Sequence, residues 1–462
     1  MNWLHIMLNG RKHFVIPAAM AAALVVLAGA ASATTPPTVR CVPLTNPNPA
    51  CTAHYGNIQA AVNAASQYDI IFVGPGTYNE SVTINDSGHS RDGISLFGAQ
   101  AGNDAREGRD DPTKESIVDA TGKAGPAFLV TASYVVIDGF TVQGGAAASN
   151  PEGIFIKAPS GTPCGEGGGL CGPQVLNNII QNNGVGVLLD PAAPPFIQGA
   201  TIERNLFSNN NAENPLGYGF GIISAIVEGL VITENEFTEN KAAAMVIAGN
   251  QGATITENTS ENDGAFVVFV ATTSSQFSHN RGKNFGHAGV LTLGFVIDPP
   301  PPTIYADAAI DIGPLNSALE ISYNELENGT APISNGIAFT TAFGPGNSYL
   351  LNVINNKIRE FPGHGIMAKD TSGGGTLTNS SIIGNEVFDN GVDGIFMEGT
   401  LAFNYGNDLF DNIAGDNTNY DCKDGTNGGF GTLGTSNFWF NNLGSLSSPT
   451  GLCTPVTLPD HD

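Results

Sequence analysis

Three residues share one repeated context and carry the side chains of acid–base chemistry. Asn335, His364 and Asp393 each stand before Gly-Ile, in NGIAF (335–339), HGIMA (364–368) and DGIFM (393–397). His364 falls eight residues after Asn356, and Asp393 eight residues after Asn385. The three are therefore expected on consecutive turns of a repeat, about 4.8 Å apart. An imidazole beside a carboxylate can serve as a general base, or orient a water for glycosidic or ester chemistry. At the equivalent place in earlier repeats the residues are apolar or small: Val185, Phe220 and Ala288. A plainer role competes, because Asn, Asp and His are all favoured where a strand opens at a turn.

Other polar groups lie close in sequence: Lys369, Asp370 and Glu398. A two-carboxylate glycosidase needs its carboxyls roughly 5–9.5 Å apart, and Asp393 with Asp370 or Glu398 is the couple to test. Oxygen ligands for Ca²⁺ gather twice. Asp307 and Asp311 share one side of a strand, and Asp416, Asn417, Asn419, Asp421 and Asp424 cluster near the end. A solvated acidic face explains the first set better than a Ca²⁺ site does, and the second departs from the EF-hand spacing. The cofactor thus stays open between none and Ca²⁺. In NFWFNN, alternation is expected to turn Phe438 and Phe440 inward as core and Trp439 outward, although these aromatics also suit stacking on a sugar. No nucleophile elbow or phosphate cradle occurs.

These residues depend on an Asn-anchored unit, x-Asn-x-(Ile/Leu/Phe/Val)-x-x-Asn. Its first Asn falls at 178, 205, 235, 258, 280, 324, 356, 385 and 407. The interval of 44 after Asn280 reads as two of 22, one unit (from Thr303) lacking its anchor. A second Asn follows at 183, 210, 240, 262, 284, 328, 390 and 412. A period in the twenties with short β-type runs marks a solenoid, each turn burying its apolar face against its neighbours. Asn tolerates left-handed backbone at a tight corner, and stacked corners let each amide bond the next. Upstream, residues 57–65 (NIQAAVNAA) predict a short helix capped by Asn57, with Ile58, Ala61, Val62 and Ala65 on one face, plugging the end of the solenoid. After it, DIIFV, SVTI, GISLFG, SIVDA and YVVIDGFTV are short strands parted by turn residues.

With IQAAVNAASQYDIIFVGPGTYNESVTI (58–84), YVVIDGFTVQGG (134–145) and the NNxI coils in place, the chain resembles right-handed parallel β-helix proteins of the pectin-lyase-like group, including domains similar to the NosD periplasmic protein. The resemblance spans roughly residues 57–443. It implies an all-β, single-stranded right-handed parallel β-helix of roughly a dozen coils with a short N-terminal capping helix. It also implies a polysaccharide as partner, in a group that holds lyases, hydrolases, epimerases, binding proteins and adhesins. Polygalacturonase-like members carry Asn-Thr-Asp, Asp-Asp, Gly-His-Gly and Arg-Ile-Lys. Only Gly363-His364-Gly365 and a distant Asp110-Asp111 are present here. The Asp-Pro-His-Glu of epimerase-like members is missing, Asp298-Pro299 running into prolines, and no Arg cluster of the pectate-lyase kind stands out.

The ends and the composition narrow the rest. Residues 1–33 read as an export signal: Arg11, Lys12 and His13, an apolar stretch over 14–28, and Ala31-Ser32-Ala33 for cleavage. Its removal takes two of 17 basic and none of 42 acidic residues, leaving a net charge of −27. That charge disfavours nucleic acid and anionic membranes, and no later run reaches the ~20 apolar residues of a membrane helix. Residues 34–56 read as an extended lead-in and 444–462 as a C-terminal cap or tail. Six cysteines in an exported chain favour disulfides, and sequence-local pairing gives Cys41–Cys51, Cys164–Cys171 and Cys422–Cys453. A secreted or periplasmic monomer is expected that binds or processes an extracellular or cell-wall polysaccharide, by hydrolase- or lyase-like chemistry if it is an enzyme. The alternative is a non-catalytic surface or matrix rod. Metal delivery, by analogy with NosD-like domains, lacks a His cluster.

Overall fold

The computed structural model describes residues 37–455, except 86–89, 146–150, 159–163, 165–168, 191–196, 212–218, 287–289, 292–303, 306–307, 331–334, 340–347, 370–376, 400–403 and 428. The segment read as an export signal lies outside the described residues, as do Ala288, Asp298, Asp307 and Asp370. From Thr38 onward the chain forms one compact unit.

That unit is a right-handed parallel β-helix. Each coil contributes one short strand to each of three long parallel sheets of 15, 12 and 13 strands. In one coil, Thr201–Glu203 joins the first sheet, Leu206–Ser208 the second and Phe220–Ala225 the third. The expected dozen coils are therefore present. The first strand, Val39–Val42, lies in the segment read as a lead-in, where it pairs with Ile70–Val73. The last, Ser447–Ser448, lies in the segment read as the tail and pairs with Tyr420–Asp424. Inward residues stack by register into apolar columns, such as Ile202, Ile232, Ile255, Phe277, Ile321 and Val353, each almost fully buried. Each such side chain stabilises by about 1.5–3 kcal/mol.

The helix Ile58–Ala64 closes the N-terminal end with Ile58, Ala61 and Val62 buried. The Asn57 side chain accepts from the Ala60 N–H at 2.7 Å. The Glu80 carboxylate accepts from the Ile58 and Gln59 N–H groups, both at 2.9 Å, satisfying donors that every helix start leaves open. The disulfides pair as expected: Cys41–Cys51, Cys164–Cys171 and Cys422–Cys453.

The Asn ladder forms, with three corrections. Asn178, 205, 235, 258, 280, 324, 356 and 385 stack at the corner between first and second sheets, each amide and backbone N–H donating to the Oδ1 of the next. The next rung is Asn412 and then Asn442, not Asn407, which belongs to a separate ladder with Ser380 and Asn437. Second, the anchor is not the left-handed residue. The residue before it is, for example Arg204 (φ 54°), Glu234 (φ 52°) and Tyr323 (φ 55°). The buried Asn is thus selected for its amide and the corner for being short. Asn262, Asn284 and Asn328 do adopt φ 59° and take no part in the inner ladder of Asn183, Asn210 and Asn240. Third, Asn280 bonds Asn324 directly at 3.1 Å, so the interval of 44 is one coil carrying an insertion between Arg281–Phe285 and Ala308–Ile312. Its antiparallel pair, Val290–Leu291 with Ile304–Tyr305, departs from the parallel coil pattern.

The inner ladder ends on an acid. Asp263 is fully buried, accepting from the Asn240 N–H (2.7 Å) and amide (2.9 Å) and from Ser260 Oγ (2.6 Å). Burial pushes its carboxyl up from 3.8 to about 7. The folded state therefore holds a proton that the unfolded chain releases, so this stabilising contribution is full below pH 3.8 and disappears as pH rises through about 7. Asn occupies the equivalent rung in the preceding coils. Asp263→Asn is accordingly expected to raise the melting temperature at pH 8 by several degrees and to flatten the pH 4–7 slope of stability, at a gain on the order of 4 kcal/mol. Thermal melts of both chains across that range measure it; parallel curves would refute it.

On the outside of the second sheet, basic and acidic side chains alternate from coil to coil. Lys283–Glu261 (3.2 Å), Arg281–Glu325 (3.3 Å), Arg359–Glu327 (3.0 Å) and Lys357–Glu386 (3.7 Å) bridge neighbouring strands. Each exposed pair contributes little, and the face is a solvated one.

Candidate functional site

The outer face of the third sheet changes character along its length. Register places Glu152, Val185, Phe220 and Ala243 in one column. It ends with Ala308, Asn335, His364, Asp393 and Tyr420. Each polar member of 335, 364 and 393 precedes a glycine whose hypothetical Cβ would collide with the interior: at Gly365 with Val387 Cγ1 (2.1 Å), at Gly394 with the Asp421 carbonyl (2.6 Å). The glycine and the following Ile both face inward. The next outward residue is therefore three places on, not two, which puts Phe396 beside Asp393 on the same face and stacks Phe396 between Met367 and Lys423.

The expected trio is brought together. The His364 N–H donates to Asn335 Oδ1 at 2.9 Å, so Asn335 positions the histidine through its backbone. His364 Nδ1 lies 3.2 Å from Asp393 Oδ2, an ion-pair contact whose angles are not those of an aligned hydrogen bond. The imidazole stacks on Phe396, with centroids 4.7 Å apart and planes at 19°. Lys423 completes the group, its Nζ 3.4 Å from Asp393 Oδ2 and 4.4 Å from the Phe396 ring. Asp393 is fully buried, while the His364 and Lys423 side chains keep 15% and 33% of their surface. With Nδ1 turned to the carboxylate, Nε2 is the ring nitrogen directed away from it.

Phe396 and Lys423 are absent from the sequence-based set. The signal was present, since a column offset of three past the Gly-Ile leads from Asp393 to Phe396, but strict alternation hid it. Glu398 pairs with Lys369 at 3.2 Å. Its backbone lies five residues from Asp393, about 15 Å along a strand, beyond the spacing of a glycosidase couple. Asp111 caps the turn Pro112–Lys114 through the Thr113 N–H and plays no part here. Asp311 is buried on the same outer face, opposite Ala338.

The terminal oxygen cluster is used by the fold. Asp421 accepts from the Asn417 amide and from the Ser445 and Leu446 N–H groups. Asp424 accepts from Thr426, Asn437 and the Trp439 indole. No group of three His, Cys, Asp or Glu among the described residues is placed to hold a metal ion. At the other end of the site's column, Glu152 is nearly buried, with Oε2 lacking a hydrogen bond, and burial with the Asp190 charge pushes its carboxyl up to about 7.

The family model for right-handed β-helix regions matches residues 128–296. Among solved structures the chain is similar to the A-module of mannuronan C-5 epimerase AlgE6 from Azotobacter vinelandii, at 11% identity over 84% of this chain and 83% of that one, TM-score 0.43. It is similar to DFA-IIIase from Arthrobacter chlorophenolicus A6, at 14% identity over 75% and 94%, TM-score 0.43. It is also similar to the catalytic unit of a GH87 alpha-1,3-glucanase from Streptomyces thermodiastaticus, at 12% identity over 87% and 64%, TM-score 0.38. A search of curated protein sequences returned no match.

Proposed function

We propose that this is an exported β-helix protein that processes an extracellular glycan on the outer face of its third sheet, with His364 as the proton-transfer residue. One observation carries the proposal. Asp393 is fully buried beside His364 and Lys423 at a column position that holds Val185, Phe220, Ala243 and Ala308 in the coils between Glu152 and Asn335. Coil packing needs no carboxylate there, and burying one is costly. A costly, paired ionisable group on an outer face is what a reacting site requires. In this reading Nε2 of His364 takes a proton from an attacking water or a sugar group, and Asp393 stabilises the imidazolium that results. Phe396, itself buried, backs the imidazole and the Lys423 cation, and Lys423 offers a cation to an anionic oxygen. Export is supported by the three disulfides.

A second reading, glycan binding without turnover, draws on the unaligned His364–Asp393 contact. A reducing-end release screen over neutral and acidic polysaccharides, run on the intact protein and on His364→Ala, separates the two. Turnover lost in the variant supports catalysis at His364. Turnover that survives moves the chemistry elsewhere, and binding without release leaves a glycan-binding rod.

A further inference from the structure

The outer face of the first sheet also breaks its own pattern near the C-terminal end. Register runs Ile354, Ile383, Phe410 and Phe440 down one column, beside Ser381 and Asp408 in the next. In earlier coils the first of these columns holds Thr256, Ser278 and Ser322, so the coil itself does not call for apolar residues there. The expected orientation of the last strand is reversed. Trp439 is buried, 5% exposed, while Phe438 and Phe440 stand out at 45% and 70%. Alternation tied the two phenylalanines to one face but did not say which. Pairing of Trp439 with buried Leu409, and the indole N–H donating to Asp424 at 2.8 Å, decide it.

The result is an open depression lined by Asp408, Phe410, Thr432, Phe438, Trp439 and Phe440. Phe410 meets Phe440 edge-on, with centroids 6.2 Å apart. Two of the exposed large apolar side chains among the described residues, Phe438 and Phe440, stand together in this depression. The last strand is not an open edge for another chain to extend, because Thr432 Oγ bonds both the Trp439 N–H (2.9 Å) and its carbonyl (3.1 Å). No cation among the described residues lines the depression, and Asp408 would repel an anionic ligand.

We propose that this depression is a second carbohydrate-binding site, taking a neutral pyranose chain whose C–H faces stack on Phe438 and Phe440 and whose hydroxyls donate to Asp408. Over the last two coils Asp408 stands beside Phe410, Phe438 and Phe440, which matches a ligand with apolar faces and hydroxyl edges. The site shares only its ligand class with the reading of His364 and does not depend on it.

Trp439 supplies the readout. The chain has two tryptophans, and in the exported form without residues 1–33 the buried indole under the depression is the sole one. Titration of that protein with cellohexaose, laminarihexaose and xylohexaose should give a saturable emission change with at least one, weakened about tenfold or more by Phe440→Ala or Phe438→Ala. Phe440→Tyr should restore it, and His364→Ala should leave it unchanged. Both phenylalanines are exposed, so the variants should melt as the parent does. No response to any of the three sugars overturns the proposal, as does tighter binding of hexagalacturonate. A response abolished by His364→Ala but not by Phe440→Ala assigns binding to the third sheet alone. Sugar-independent self-association, seen by sedimentation and lost in Phe440→Ala, makes the patch a contact between copies instead.

Discussion

Asn258→Leu is expected to abolish cooperative folding or lower the unfolding free energy by about 3–6 kcal/mol. Asn258 Oδ1 accepts from the Asn235 N–H and amide, both at 3.0 Å, while its own amide donates to the Ile232 and Thr256 carbonyls, both at 3.0 Å. Leucine fills the volume but strands the Asn235 N–H and takes a donor from two carbonyls, all in a corner closed to water. Each orphaned buried group costs roughly 1–3 kcal/mol. The loss is local in origin but not in consequence, because coils touch only their neighbours and a break in mid-solenoid uncouples the two halves. Asn258→Asp keeps the acceptor and loses the donors, so it should fall between and worsen as pH rises. Urea unfolding followed by far-ultraviolet circular dichroism measures all three. An Asn258→Leu chain as stable as the parent would show that the ladder is decoration.

Asp393→Ala should separate activity from stability. If Asp393 serves chemistry, turnover should drop about 10²–10⁴-fold, as for loss of general base catalysis. The unfolding free energy should stay level or rise, because alanine already fills this position as Ala243 and Ala308, and a buried charge is removed. The partners left behind tolerate it: His364 can be neutral, and Lys423 keeps a third of its side chain in water. If the pair is structural, the opposite follows, with stability lost by about 3–5 kcal/mol, the cost of breaking a buried pair. Thermal melts and release assays on the same preparation decide between them, and a destabilised chain with unchanged turnover would sink the assignment of His364 as well.

Much of this was legible without coordinates because a solenoid converts sequence offset into spatial adjacency. Residues one coil apart become neighbours about 4.8 Å apart, so the shared Gly-Ile context was enough to place Asn335, His364 and Asp393 in one column. The same logic yielded the Asn ladder, while the capping helix followed from its N-cap and the apolar spacing of one face. It failed wherever a phase or a length had to be known. Whether 44 residues are two coils or one with an insertion depends on whether Asn280 meets Asn324, which no local pattern states. Asn407 fits the anchor motif and Asn412, with Ala414 at the large apolar position, does not, yet the hydrogen bonds from Asn385 select the second.

Faces were the harder matter. Alternation fixes which residues share a side of a strand, but the side itself is set by contacts with other coils. For Phe438–Phe440 the Trp439–Asp424 bond and the Leu409 neighbour turned the indole in and the phenylalanines out. For the candidate site, two consecutive inward residues at Gly394-Ile395 shifted the phase and brought Phe396, then Lys423, against Asp393. Motif spacing alone sets the repeat, and with it the fold and the company His364 keeps along its column. What lies beside that column is set by how the coils pack, because lateral neighbours depend on the phase of every strand rather than on the spacing of one motif.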